Sequence, residues 1–173
     1  MRKSHLHDLL NAGPGFVCST GSTGANQGTG LPTVTPFCLF NPPTSNRRVY
    51  LVHASYGYVS GGPGTGTPWL CYNDTPGQAA PTGTSMAIKP ARMMSSESSL
   101  MQCFKDATLP NNQNVYIPLG PQDPTGGGFR MTVYYCDGFQ QVDPGGILSF
   151  TFVGSAGAAP ILNYGFLWVE VTI

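Results

Sequence analysis

Five cysteines offer the widest range of chemistry in this chain, because a thiol can form a disulfide, ligate a metal or act as a nucleophile. Their number is odd, no Cys-x-x-Cys motif is present, and the gaps between them match no zinc template. Four of them lie in short runs of strand-forming residues, where cysteine behaves as a small buried hydrophobe. We therefore expect buried thiols, and whether any two pair stays open. The five are Cys18, Cys38, Cys71, Cys103 and Cys136.

Three histidines supply the side chains whose unperturbed pKa lies nearest neutrality. His5 and His7, with Asp8, resemble a short metal-binding segment. In a short arm before a small domain, however, a metal site is the less favoured interpretation. His53 lies in the run YLVHASYGY, where a structural histidine is favoured over a catalytic base because no motif supplies a partner. The sequence therefore predicts a protein that is not an enzyme, with no catalytic, cofactor-binding or metal-binding residue.

Two glycine-rich stretches resemble the loops of nucleotide-binding proteins and hydrolases without meeting their requirements. GGPGTGTP, residues 61–68, lacks the lysine that follows the last glycine of a phosphate-binding loop, and a strand-like run rather than a helix comes next. GSAG, residues 154–157, lacks the spacing of a nucleophile elbow. Both are interpreted as connections, the first as a wide, hairpin-like one.

Charge is scarce in this chain. Only 9% of the residues are Asp, Glu, Lys or Arg, against about a quarter in an ordinary soluble domain. The eight basic and eight acidic residues cancel, so there is no basic footprint for nucleic acid or anionic lipid, and no apolar run is long enough to span a membrane. Two interpretations fit: a neutral, turn-rich β-domain, or a surface covered by neighbours in an assembly, since charge is depleted at the centre of protein contacts.

Strand-like runs separated by turn residues fill most of the chain. The runs are rich in β-branched and aromatic residues, and the segments between them are rich in Gly, Pro, Asn and Asp. Many short strands with regular turns predict an all-β, single-domain β-sandwich, jelly-roll-like, with about eight or nine strands. The predicted strands are residues 34–40, 48–60, 68–72, 86–93, 100–104, 115–119, 129–136, 147–153 and 164–173.

Alternation of side chains assigns faces to two of these strands. In the last run, the face expected in the core carries Leu167, Val169, Val171 and Ile173, and the opposite face carries Phe166, Trp168, Glu170 and Thr172. In residues 48–60, His53 is expected on the same face as Leu51 and Ser55. The last strand reaches the chain terminus, so we expect truncation there to be costly.

Residues 1–14 are interpreted as an N-terminal arm ahead of a β-sandwich domain that spans residues 15–173. Arg2 and Lys3 precede leucines, but His7 and Asp8 interrupt the apolar run that a signal peptide requires. As a helix the segment would have one or two turns, too few to persist alone. It is either an arm that docks on the domain or a partner, or a frayed end. The candidate contact residues in it are Leu6, Leu9 and Leu10.

Aromatic residues cluster around the GGPGTG loop. Tyr56 and Tyr58 precede it, and Trp69 and Tyr72 follow it. Rings presented beside a loop can stack on sugars, so Tyr56, Tyr58 and Trp69 are candidate partner contacts. The favoured interpretation is that they are alternating core residues of two paired strands, because tyrosine-rich strands are common in β-sandwiches.

The stretch NPPTSNRRVYLVHASYGYVSGGPGTGTPWLCYN, residues 41–73, resembles small virion proteins of tailed bacteriophages. The shared pattern is Asn-Pro with a short polar turn, an apolar strand of the Val-Tyr-Leu-Val type, Gly-Tyr-Val-Ser-Gly, Gly-x-Gly and an aromatic strand. It is similar to the jelly-roll cement or decoration proteins of phage heads. The rest of the chain shares only general properties with these proteins: it is predicted to be all-β, it is neutral, and it is rich in glycine.

The resemblance implies a structural virion protein, made in the host cytoplasm, that sits on the capsid surface. It implies a homotrimer that binds the major capsid protein and stabilises the head, with no cofactor, no nucleic acid and no membrane. Two alternatives stay open. One is a virion surface binding module, a fibre head or lectin-like domain, with a glycan as ligand. The other is a single-jelly-roll shell protein of a small virus, against which the missing basic arm counts.

Overall fold

The computed structural model describes residues 8, 11–26, 33–62, 66–119, 131–154 and 158–173. In these ranges the chain forms twelve β-strands joined by turns. They are β1 (Gly15–Ser19), β2 (Ala25–Asn26), β3 (Val34–Phe40), β4 (Arg47–Gly62), β5 (Gly66–Asn73), β6 (Thr82–Met86), β7 (Lys89–Pro90), β8 (Gln102–Thr108), β9 (Asn114–Pro118), β10 (Thr132–Val142), β11 (Ile147–Gly154) and β12 (Ala158–Thr172).

The strands form two antiparallel sheets that enclose a common core. The front sheet has the strand order β10-β4-β12-β1-β7, with β2 also paired to β12. The back sheet has the order β6-β8-β3-β11-β5-β9. A single large cluster of buried apolar residues is drawn from both sheets, so the domain is a β-sandwich with one core.

Eight of the strands follow the path of a jelly roll. Taken in chain order, β1, β3, β4, β5, β9, β10, β11 and β12 give β10-β4-β12-β1 in the front sheet and β3-β11-β5-β9 in the back sheet. This is the interleaved order that two Greek keys produce. The predicted all-β, jelly-roll-like sandwich is therefore confirmed. The strands β2, β6, β7 and β8 extend the two sheets beyond these eight.

Two local predictions about connections are wrong. The predicted strand at residues 86–93 is divided, because Met86 ends β6 in the back sheet and β7 (Lys89–Pro90) lies in the front sheet. The connection at residues 61–68 is not hairpin-like, because β4 and β5 also belong to different sheets. Local patterns identify a strand but carry no information about which sheet it joins, since its partners are distant in sequence.

Aromatic rings fill the space between the sheets. Phe166 of the front sheet stacks on Phe37 and Phe150 of the back sheet, with ring centroids 5.3 and 4.8 Å apart. Tyr164 lies 5.0 Å from Phe150 by the same measure, and all four side chains are buried. Offset aromatic contacts add to the free energy gained by burying large apolar surfaces, so this group sets the spacing and offset of the two sheets.

The core face of β12 is the opposite of the one predicted. Phe166, Trp168 and Glu170 point into the core and are at most 1% exposed, whereas Leu167 lies on the outer face and Ile173 is 54% exposed. Both faces of this strand are rich in apolar residues, and the aromatic pair carries the larger area. Burial of that area decides which face turns inward.

A β-bulge at Val52 changes the facing of side chains along β4. Val52 falls between the paired residues Leu51 and His53 and has no residue opposite it in β12. Leu51 and Ala54 point into the core, and Val52 and His53 face outward. His53 and Ser55 share the outer face as predicted, but the predicted placement of Leu51 with them is wrong, because one extra residue shifts the two-residue period of the strand.

A buried carboxylate, that of Glu170, joins three segments at one end of the sandwich. It accepts hydrogen bonds from Trp168 Nε1 at 3.0 Å, from the Ser99 hydroxyl, and from the N–H of Leu100 at 3.4 Å. Arg47 Nη1 forms an ion pair with it at 3.0 Å. The Glu170 side chain has no exposed surface, and a buried charge is tolerated only when it is paired and hydrogen-bonded. The hydrogen bonds of Glu170 to Ser99 and Leu100 therefore hold the connection between β7 and β8 against the front sheet.

Substitution of two neighbouring residues of β12 tests the assignment of its faces. Phe166→Ala should lower the free energy of unfolding by about 3–5 kcal/mol, because it opens a cavity between the sheets. Leu167→Ala should lower it by about 1 kcal/mol, because that side chain is only partly buried on the outer face. Urea denaturation measures both values. Equal losses in the two variants would contradict the assignment.

Substitution of Glu170 tests the role of the buried carboxylate. Glu170→Gln keeps the side-chain shape but removes the charge opposite Arg47, and it should lower the free energy of unfolding by about 3 kcal/mol. The control is Asp143→Asn, which removes the pair between Arg48 and a carboxylate whose side chain is 64% exposed. That change should cost less than about 1 kcal/mol. Urea unfolding at pH 7 compares them, and similar losses would show that Glu170 has no special role.

Candidate functional site

The outer face of the front sheet carries a row of side chains that crosses four strands. Tyr135 of β10 lies opposite His53 of β4, which lies opposite Leu167 of β12. Leu167 in turn lies opposite Val17 of β1. At least one chain neighbour of each points into the core, so all four side chains face outward. Tyr135 is 70% exposed and Val17 is 37% exposed.

A second group of apolar side chains lies beside this row on the same face. Val52 and Val169 pack together and are buried, with Tyr50, Leu167 and Val171 against them. These contacts give the outer face a small packed centre of its own, outside the main core. The row and this group together are termed the front-face patch. Its members are Val17, Tyr50, Val52, His53, Tyr135, Leu167, Val169 and Val171.

A bulge in β10 borders the front-face patch at the edge of the sheet. The pairing of β10 with β4 skips from Tyr135 to Gln140. Inside the bulge, Asp137 and Gly138 have φ angles of 48° and 80°, a region that glycine enters freely and aspartate more readily than most residues. The bulge interrupts an edge strand, which blocks uncontrolled strand addition. It also leaves Phe139 74% exposed beside the patch.

The eight residues of the front-face patch include no charged side chain. Charges lie at its rim instead: Arg48 pairs with Asp143, with Nε 2.5 Å from Oδ1, and Lys89 of the edge strand β7 lies opposite Val17. The carboxylate of Asp143 raises the pKa of Arg48. An uncharged centre within a polar rim is the composition of a protein–protein contact. Such a surface binds through shape and apolar area.

The outer face of the back sheet is, by contrast, largely covered by the chain itself. Cys38, Ile147 and Ser149 lie on that face and are buried. The connection from β8 to β9 covers them, where Gln113 accepts a hydrogen bond from Ser149 Oγ at 2.6 Å and donates one to the Val34 carbonyl at 3.4 Å. This part of the back sheet is therefore not free to contact a partner.

His53 contributes an imidazole to the middle of the front-face patch. Its ring meets Tyr135 edge-on, with centroids 6.1 Å apart. Partial burial disfavours the charged form and lowers the pKa of His53 below the ordinary value for histidine. The side chain is therefore neutral at pH 7, and it adds apolar contact area without adding charge to the patch.

The predicted contact residues do not come together in one site. Tyr56 is 6% exposed and belongs to the core between the sheets, which corrects its prediction as a partner contact. Tyr58, of the front sheet, packs partly against the same core and donates a hydrogen bond to the Gly61 carbonyl at 2.5 Å. Trp69 is half-buried in the back sheet, so Tyr58 and Trp69 belong to opposite sheets. The arm residues Leu6, Leu9 and Leu10 lie outside the described residues.

Three exposed contact candidates were not singled out from the sequence. Val17 lies in the short strand β1, and Tyr135 and Phe139 flank the bulge at Asp137 and Gly138. The sequence contains one signal that could have identified the two aromatic residues, the pair Asp137-Gly138. An Asp-Gly pair inside a strand-like run marks a tight turn or bulge. A bulge interrupts the alternation of side chains and so exposes aromatic residues beside it.

All five cysteines are buried thiols, as predicted. Burial raises the pKa of Cys38 and of Cys136 to about 12, so both stay protonated at neutral pH. In the described part of the chain, no group of three or more His, Cys, Asp or Glu side chains is placed to hold a metal ion.

The front-face patch is the candidate functional site of the described part of the chain. No helix within the described ranges is long and apolar enough to span a bilayer. The chain matches no family model, no curated protein and no solved structure. The fold, the composition and the front-face patch are therefore the features that bear on function.

The lowered pKa of His53 predicts that stability depends on pH. The unfolded chain, with a histidine pKa of about 6.5, takes up the proton before the folded protein does. The contribution of His53 to the free energy of unfolding is therefore constant above about pH 6.5. It falls as the pH drops from there to the pKa of His53 in the folded protein. His53→Gln should flatten that part of the profile in urea midpoints measured between about pH 7.5 and 5. An unchanged slope in the variant would assign the effect to other groups.

Proposed function

We propose that this protein is a structural virion protein, a decoration or cement protein of a phage head, that acts as a homotrimer with the front-face patch between its copies. The supporting observation is an uncharged, largely apolar face of one sheet, on which Val17 and Tyr135 are exposed, in a domain in which only 9% of the residues are charged. An exposed apolar patch rimmed by polar residues is the usual mark of a contact surface.

The placement of the patch on strands supports a rigid contact. The side chains that form it come from four hydrogen-bonded strands, and the opposite faces of those strands pack into the aromatic core. A preorganised surface loses little conformational entropy on binding. Jelly rolls are also a common architecture of viral capsid domains.

A trimer suits the stabilisation of a shell. An outer protein that binds several subunits of the major capsid protein at once combines their contact energies. Because it binds only the assembled shell, it stabilises that state by mass action. The contact between copies, being uncharged, should respond weakly to salt.

One alternative is favoured by a specific observation. The strand order of the two sheets is the one that single-jelly-roll shell proteins of viruses use, and such a protein would assemble into closed particles rather than trimers. The glycan-binding alternative has less support, because Tyr56 is in the core and Tyr58 and Trp69 lie in different sheets.

The native mass in solution tests the proposal. Light scattering at micromolar concentration should give about three times the 18.3 kDa of the chain. Val17→Lys and Tyr135→Lys should each shift the mass toward that of a monomer, because a charge would be buried without a partner in the contact. The control is Thr84→Lys, at an exposed position of the edge strand β6, which should keep the trimer.

The other possible results of the light-scattering experiment distinguish the alternatives. A wild-type monomer would contradict the trimer, and particles of much higher mass would favour the shell-protein alternative. A trimer that survives both front-face lysines would place the contact between copies elsewhere. Co-sedimentation of the wild-type trimer with purified phage heads that lack their decoration protein then tests the capsid contact, and failure to bind would contradict the decoration role.

A further inference from the structure

One edge of the sandwich is closed by a direct crossing of the chain between the sheets. Met86 ends β6 at the edge of the back sheet, and Lys89 begins β7 at the edge of the front sheet, so that only Ala87 and Ile88 separate the two strands. Three Cα-to-Cα steps reach at most about 10–11 Å, which is near the usual spacing of packed sheets. The two sheets are therefore held close together at this corner.

Cys18 and Cys103 meet at this corner from opposite sheets. Cys103 of β8 is the cross-strand partner of Met86, and the Cys18 thiol of β1 donates a hydrogen bond to the Ala87 carbonyl, with Sγ 3.5 Å from the oxygen. Each thiol is also near enough to the other to shift its pKa. Both are buried in the same core cluster. One thiol from each sheet therefore lies at this corner, within the core.

The aromatic core keeps the strands of this thiol pair face to face. Cys18 lies opposite Phe166 across β1 and β12. Lys105, two residues after Cys103, lies opposite Phe37 across β8 and β3. Because Phe166 and Phe37 stack with centroids 5.3 Å apart, the packing of the domain holds the two cysteine-bearing strands face to face.

The surroundings of the pair distinguish the two sulfurs. The hydrogen bond from Cys103 lowers the pKa of Cys18, whereas burial and the nearby Cys18 raise the pKa of Cys103 well above its ordinary value. The sulfur with the lower pKa has more thiolate, which is the attacking species in thiol chemistry. A cleft of about 530 Å³, lined by residues that include Met86, Ser99 and Cys103, reaches the pair from the Cys103 side.

We propose that Cys18 and Cys103 are a disulfide-forming pair that joins the two sheets when the protein meets hydrogen peroxide. The Cys18 sulfur attacks a peroxide oxygen, the O–O bond breaks, and a sulfenic acid and one water form. The Cys103 sulfur then attacks the Cys18 sulfur, the S–S bond forms, and a second water leaves. The two thiols lose two electrons and the peroxide gains them. This site is independent of the function proposed for the front-face patch.

The disulfide should stabilise the domain. It would close a loop that covers about half of the chain, and cross-links across long loops restrict the unfolded ensemble most strongly. We expect the Tm of the oxidised protein to exceed that of the reduced protein by about 10 °C. Assembly through the front-face patch should not change, because the pair lies inside the core.

The test is oxidation of the full chain with hydrogen peroxide, followed by thiol titration under denaturing conditions and peptide mapping by mass spectrometry. The reduced protein should titrate five thiols and the oxidised protein three. The map should contain one linked peptide pair, lighter by two hydrogens, that joins Cys18 to Cys103. A linked pair that joins Cys103 to Cys38, or five thiols left after oxidation, would overturn the proposal.

Matched variants separate the disulfide from general oxidation. Cys18→Ser and Cys103→Ser should each abolish the linked peptide pair and the rise in Tm. Cys136→Ser, which removes another buried thiol of the same core cluster, should keep both. Loss of the linked pair in Cys136→Ser alone, or its retention in Cys18→Ser, would also overturn the proposal. If a serine variant fails to fold, the peptide map of the wild-type protein decides.

Discussion

The packing of Phe166 against Phe37 and Phe150 is the contact on which the rest of this structure depends. It fixes the orientation of β12, and β12 is the central strand of the front sheet, paired with both β4 and β1. Once Phe166 points inward, the neighbouring Leu167 must point outward. The same constraint places Cys18, opposite Phe166, against the back sheet. A single aromatic contact therefore sets the geometry of the core, of the front-face patch and of the thiol pair.

Polar side chains inside the domain complete the structure at the end of the sandwich where Arg47 lies. The side chain of Arg47 pairs with the buried Glu170, and its carbonyl accepts a hydrogen bond from Asn41 Nδ2 at 2.8 Å. Asn41 also donates to the Val142 carbonyl at 2.9 Å and accepts from the Ser45 hydroxyl at 2.6 Å. The Asn41 side chain thereby organises the turn that precedes β4. Because each of these polar side chains has hydrogen-bond partners within the domain, these residues have a structural explanation that needs no ligand.

The scarcity of charge and the front-face patch support the same view of function. A protein that leaves Tyr135 and Val17 exposed on an uncharged sheet face lowers its free energy when a neighbour covers that face. The bulge at Asp137 and Gly138 interrupts pairing along β10, which favours binding through side chains over addition of a strand. A structural role in an assembly needs a rigid contact surface of this kind rather than a reactive group.

Strand content and fold class followed from the sequence because their signals are local. Residues 34–40 were predicted as a strand with the bounds that β3 has, and 147–153 agrees with β11 to within one residue. The tertiary structure decided which side chains face the core and which residues are in contact. Both faces of β12 are apolar, so only the competition for space between the sheets selects Phe166 over Leu167 as the inward residue. The patch likewise joins Val17, His53 and Tyr135 from three strands. The sequence by itself determined the all-β sandwich and the low charge, and the tertiary structure alone decided which residues meet, because strand register pairs residues that lie far apart along the chain.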